Sequence, residues 1–108
     1  MIERRIKRIQ LRALMVDDEL PAPTAEGHAA RTLVQELSGR AIEVVESPSA
    51  EDGMSVVASD SAIHALLLDW SLGSNGERVH DKARALLEFV RARNEKIPIF
   101  LMAERGEA

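Results

Sequence analysis

Asp17, Asp18 and Asp69 are the residues whose types and placement could do chemistry. Each sits just past an apolar run: Leu14-Met15-Val16 leads into Asp17-Asp18-Glu19, and Ala65-Leu66-Leu67-Leu68 leads into Asp69-Trp70. Such runs read as buried strands, and open parallel α/β sheets place their ligand crevices at the carboxyl ends of the strands, so the three acids are expected to converge there. Carboxylate oxygens suit a hard divalent cation such as Mg²⁺. Without a cation, clustered carboxylates repel one another and some of their pKa values must rise. A plainer reading stands beside this one: Asp is common in the turns that follow strands, and Asp17 and Asp18 fit that description as well.

Other reactive residue types do not form sets. His28, His64 and His80 fall on a helix, a strand and a helix start without metal-ligand spacing, and no Ser or Cys stands beside them in a nucleophile motif. Gly73-Ser74-Asn75-Gly76 lacks the Lys and Ser/Thr of a phosphate-binding loop and reads as a polar connection. Trp70 is expected to be a partly buried packing residue at a strand end, and a useful optical reporter.

The elements that must position the acids alternate between strand-like runs and segments of helical period, which argues for βαβ units and a parallel sheet. Residues 11–16 form the first expected strand. Pro21 and Pro23 break the chain, and Thr24 then caps a helix whose Ala30, Leu33, Val34 and Leu37 share one face until Gly39 ends it. Residues 41–45 make a short second strand. Ser49 with Asp52 three positions on resembles a capping box for a brief helix through Met54 and Val57, although Gly53 weakens it. Residues 63–68 form a third strand whose unbroken apolar character suits cover on both faces, followed by a flexible polar loop at 71–76. Val79, Ala83, Leu86, Leu87 and Val90 set a helix over 78–94, and residues 97–102 make the fourth strand.

The 108 residues, 45% of them hydrophobic, suffice for one core. With no Cys there is no disulfide framework, and the cytoplasm is the expected compartment. No apolar run is long enough to cross a bilayer, and the basic start Arg4-Arg5-Ile6-Lys7-Arg8 is not followed by an export signal, so no membrane partner is expected. A net charge of -4 argues against a general nucleic-acid surface. Residues 1–10 read as a basic extension, with Ile2, Ile6 and Ile9 at helical spacing; so short a helix is marginal alone.

Val16-Asp17-Asp18-Glu19, Leu66-Leu67-Leu68-Asp69 and Ile97-Pro98-Ile99-Phe100-Leu101-Met102 resemble the first, third and fourth strands of a bacterial response-regulator receiver domain. From Thr24 onward the chain is more specifically similar to the receiver-like N-terminal wing domain of the bacterial ornithine/lysine/arginine decarboxylases, the arginine enzymes above all. The residues behind this are Ser49-Ala50-Glu51-Asp52-Gly53, Asp69-Trp70 and the stretch from Ile97 through Ala103-Glu104-Arg105. The resemblance implies a flavodoxin-like, doubly wound parallel sheet of order 2-1-3-4 over residues 11–108, with a fifth strand and last helix missing. It also implies a non-catalytic role in oligomer assembly or regulation within a pyridoxal-phosphate enzyme, partnered by the rest of that enzyme and its other subunits, and holding no cofactor in this piece. An open fourth-strand edge would then make the piece self-associate.

The receiver resemblance implies the alternative, a two-component domain phosphorylated on Asp69, with Asp17 and Asp18 helping to hold Mg²⁺. Two departures weigh against it. Ala103 stands where receivers carry Ser or Thr, and the receiver Lys of a fifth strand is not in the chain.

Overall fold

In the computed structural model, which describes residues 11–72 and 80–102, seven elements alternate along the chain. They are β1 (Leu11–Val16), α1 (Ala25–Ser38), β2 (Ile42–Ser47), α2 (Ala50–Ser59), β3 (Ala65–Asp69), α3 (Asp81–Arg93) and β4 (Ile99–Met102). All strand pairs are parallel, in the order β2-β1-β3-β4. The chain first steps one way along the sheet, from β1 to β2, and afterwards the other way to β3 and β4. Right-handed crossovers therefore send α1 to one face and α2 and α3 to the other.

The two faces carry two cores. Leu14 and Val16 of β1 and Leu66 and Leu68 of β3 pack with Ala50 of α2 and Ala83, Leu86 and Val90 of α3. On the opposite face Met15 packs with Leu20 and Ala30, flanked by Leu33, Val34 and Leu37 of α1. Leu14, Met15 and Val16 have no accessible surface at all, since β1 is paired on both edges and covered on both faces. β3 is covered less evenly than its apolar run implies: Leu66 and Leu68 are buried, whereas Leu67, under the single helix α1, is half-buried.

Local chemistry sets the boundaries. Thr24 caps α1, its Oγ1 accepting from the Gly27 N–H at 3.0 Å. Gly39 ends the helix, and Ala41 then turns the chain with a positive φ of 64° before β2 starts at Ile42 and runs two residues beyond the expected 41–45. Ser49 caps α2 as expected, accepting from the Asp52 N–H at 3.0 Å. The reciprocal half of the box is diverted, because Asp52 Oδ2 accepts from the Oγ of the buried Ser47 at 2.7 Å. α2 is also longer than expected. Gly53 sits inside it because a Cβ there would come within 2.9 Å of Val16 Cγ2, so glycine is what lets α2 lie this close to β1.

Three further boundaries shift. β3 begins at Ala65 rather than 63, α3 at Asp81 rather than 78, and β4 at Ile99 rather than 97, although Ile97 is buried just ahead of it. Leu72, expected in a polar loop, is 1% exposed and belongs to the α2/α3 core. The extension at 1–10, the glycine-containing connection at 73–76, Val79 and the segment from Ala103 onward lie outside the described residues.

Gly27 is held differently from Gly53: a Cβ on it would meet the backbone oxygens of Ala22 at 2.2 Å and Glu19 at 2.5 Å. Gly27→Ala is therefore expected to cost about 1–3 kcal/mol by overpacking. Ala41→Gly should instead stabilise by roughly 1 kcal/mol, by relieving the left-handed backbone. Urea unfolding of both variants checks the pair.

Candidate functional site

The parallel register places Val16 opposite Leu68, so the next residues of the two central strands, Asp17 and Asp69, leave the sheet side by side. The backbone continues the pairing outward on both flanks: the Asp17 N–H donates to Ser47 O at 3.0 Å and the Trp70 N–H to Met102 O at 2.9 Å. Each acid also closes its own turn. Asp17 Oδ1 accepts from the Glu19 N–H at 2.9 Å, and Asp69 Oδ1 accepts from the Ser71 N–H at 3.1 Å. One carboxylate oxygen each of Asp17, Asp18 and Asp69 lies within 4.8 Å of the others, which brings together the three acids singled out in the sequence. Asp17 and Asp69 are half-buried, and Asp18 is the most open of the three.

Electrostatics follow from that geometry. Burial is the main cause pushing the Asp69 carboxyl up from its ordinary 3.8 to about 7. The Ser71 N–H opposes the rise, while the charges of Asp17 and Asp18 and a hydrogen bond with Asp17 add to it. Asp17 is raised as well, again chiefly by burial, and its hydrogen bonds to Glu19 and Asp69 moderate the shift. Asp69 therefore carries the proton of the pair and Asp17 accepts from it. Asp17 fits the plainer reading as a turn acid, and Asp69 closes a turn of the same kind. The Asx turns fix the carboxylates, and the strand register brings them together.

A cleft of about 670 Å³ opens beside the acids, lined also by Glu19, Glu26, Ala30, Leu33, Leu101 and Met102. Its loop is fastened from α1: Arg31 donates to the carbonyls of Leu20 at 2.6 Å and Ala22 at 2.8 Å, and the Thr24 hydroxyl donates to Glu19 at 2.8 Å. The arginine was not among the sequence candidates, since a lone Arg on a helix carries no motif. On the other side Trp70 is half-buried and stacks on His80, with ring centroids 4.8 Å apart and planes 19° from parallel. His80 Nδ1 is hydrogen-bonded to Trp70 O at 2.8 Å, and the Arg84 guanidinium lies 5.9 Å from the Trp70 ring. The histidines stay separate, as their spacing suggested. His28 is exposed on α1, His64 precedes β3, and His80 stands at the N-terminus of α3.

A doubly wound parallel sheet with acids at the ends of its two central strands is the architecture of a receiver-like domain. In keeping with it, the structure of a response regulator receiver protein from Pseudomonas putida superposes with a TM-score of 0.64 at 20% identity, over 89% of this chain and 69% of that one. Lysine decarboxylase A from Pseudomonas aeruginosa matches with a TM-score of 0.75 at 20% identity, over 94% of this chain but 14% of the enzyme. In sequence, the biodegradative arginine decarboxylase of Escherichia coli (strain K12) is 29% identical over 99 residues, which are 91% of this chain and 13% of that protein. The profile of the Orn/Lys/Arg decarboxylase N-terminal domain matches residues 25–108, and the chain belongs to that family. It spans about one seventh of the length of these decarboxylases.

The raised carboxyls make stability depend on pH. The folded chain holds protons on Asp69 and Asp17 more tightly than the unfolded chain does. Their contribution is thus fully present below the ordinary value of 3.8 and is lost as pH rises, that of Asp69 through about 7. The thermal midpoint should fall between about pH 5 and about pH 8, and Asp69→Asn should remove most of that fall. A scan series in which wild type and variant keep the same slope would contradict the shared proton.

Proposed function

We propose that residues 11–108 are the N-terminal wing of a larger pyridoxal-phosphate amino-acid decarboxylase, with residues 1–10 a basic extension, and that the wing serves assembly or regulation rather than catalysis. The observation that supports this reading is one of proportion: the family match runs along residues 25–108, yet the chain spans only 13% of the arginine decarboxylase it resembles. The described lysines do not suit a cofactor site. Lys82 is exposed on α3, 4.0 Å from Glu51, Lys96 is exposed before β4, and neither lines the cleft of acids. Pyridoxal phosphate supplies the electron sink for decarboxylation when bound, and a Schiff-base lysine with an acidic partner for the pyridinium nitrogen would hold it elsewhere in the parent. No helix among the described residues is long and apolar enough to cross a membrane, and the cytoplasm is the proposed compartment.

The proposed partners are the other subunits and the remainder of the enzyme, and the sheet edges support this. β2 at one edge carries the exposed Glu43 and Glu46, charges that discourage edge pairing. β4 at the other edge is Ile-Phe-Leu-Met, with Phe100 57% and Leu101 50% exposed. Such a strand recruits cover. The isolated chain is expected to self-associate in sizing and light scattering, and a strict monomer would count against this edge as an interface. In the full-length parent, removal of residues 1–108 should leave cofactor absorbance and turnover in place while lowering the assembly state. Loss of cofactor binding on removal would contradict a non-catalytic wing.

The convergence of Asp17, Asp18 and Asp69 favours a second reading, a receiver that accepts a phosphoryl group on Asp69 with Mg²⁺ held by the three acids. The cation would neutralise charge on the transferring group and favour the ionised, nucleophilic form of Asp69. In this case Mg²⁺ should raise the thermal midpoint at about pH 8, where Asp69 is ionised. Mg²⁺ with beryllofluoride should also change Trp70 emission in the wild type but not in Asp69→Asn. An unchanged spectrum in the wild type would remove this reading.

A further inference from the structure

At the end of the sheet opposite the acids, Arg12 of β1 is held through its guanidinium, its carbonyl and its backbone N–H. Its guanidinium bonds Asp60, at the end of α2, at 2.8 Å and Glu43 of β2 at 2.7 Å. Its carbonyl accepts from the His64 backbone N–H at 2.8 Å, and its own backbone N–H donates to His64 Nδ1 at 2.9 Å. The last bond fixes the chemistry of the ring. A nitrogen that accepts a backbone N–H must present its lone pair, so Nδ1 is bare and the proton of the neutral imidazole sits on Nε2. An imidazolium has no lone pair to offer. The strand register of β1 with β3 begins at Ala13 and Ala65, and the two Arg12–His64 bonds, one through the backbone and one through the imidazole, extend the contact by one position ahead of it.

The charged groups around this contact come from each neighbouring element: the Arg12 guanidinium of β1, Glu43 of β2 and Asp60 after α2. Arg93 of α3 lines the adjoining cavity with Asp60 and Ile63. The two acids are already engaged by Arg12, and Asp60 also accepts from the Ala62 N–H at 2.9 Å. A proton on His64 would add a second cation beside the guanidinium, where both neighbouring acids among the described residues are already bonded to Arg12.

We infer that, of the two bonds joining Arg12 to His64, the one from the Arg12 amide to the imidazole is made only while His64 is neutral, so that the amino-terminal end of the central strand carries a proton-sensitive latch beside its backbone bond. Acid removes the acceptor of the Arg12 amide and leaves that group to water. Deeper amides of β1 are unaffected, because backbone carbonyls hold them.

Global stability is the wrong readout, since Asp69 and Asp17 titrate at the far end of the same strand; the Arg12 amide is the right one. Amide exchange measured by NMR at about pH 7.5 and about pH 5.5, corrected for intrinsic rates, should show the Arg12 protection factor falling by about threefold or more in acid, with Met15 unchanged. In His64→Asn, whose Oδ1 can accept the same bond without titrating, Arg12 protection should be equal at the two values. Equal protection in the wild type at both values, or an equal fall in His64→Asn, overturns the inference. Should the variant fail to fold, the tautomer of the wild-type ring decides by nitrogen NMR: a bare Nδ1 at about pH 7.5 supports the latch, and a protonated one overturns it.

Discussion

Everything at the strand ends depends on the parallel pairing of β1 with β3. Once Val16 lies opposite Leu68, the geometry of a parallel ladder leaves Asp17 and Asp69 no choice but to emerge together. The register is held by burial. A slip of one residue would turn Leu14 and Val16 from the α2/α3 core toward α1 and exchange them with Met15, all three of which have no accessible surface. Hydrophobic packing along the strand therefore supports the electrostatic stress at its end, and burial in turn is the main cause that lifts Asp69 to about 7.

The same strand joins two different chemistries. At its carboxyl end, acids of like charge share a proton and the fold favours the protonated form. At its amino end a cation, Arg12, is balanced by two acids, and the hydrogen-bond acceptor is an imidazole. Asp60 there is held below the ordinary carboxylate range, first by the Ala62 N–H and then by Arg12. A parallel sheet permits this polarity because all its strands end on the same side, so Asp17, Asp18 and Asp69 collect at one rim while Arg12 and its two acids pair at the other.

Much of the fold was legible because its signals are local. Leu11–Val16 reads directly as a largely apolar run that ends in acids, and Thr24, Ser49 and Gly39 announce helix ends through groups that satisfy backbone within three or four residues. The strand order and the convergence of the three acids followed from the α/β pattern and from the receiver resemblance. What sequence missed is non-local. Gly53 looks like a helix breaker until Val16 is seen pressing against it, and Leu72 looks like loop until the α2/α3 core closes over it. Asp52 has the spacing to complete a capping box but is taken by Ser47. His64 carries no motif, and its significance lies wholly in which nitrogen faces Arg12.

The fastening of the β1–α1 loop has a thermodynamic consequence for whatever meets the strand ends. Arg31 clamps two of its carbonyls, Thr24 ties Glu19 to the helix start, and Gly27 seats the helix against the carbonyls of Glu19 and Ala22. Conformational entropy in this segment has already been surrendered on folding. A ligand or neighbouring surface arriving there would lose little affinity to ordering the receptor, so even a contact of modest area could persist.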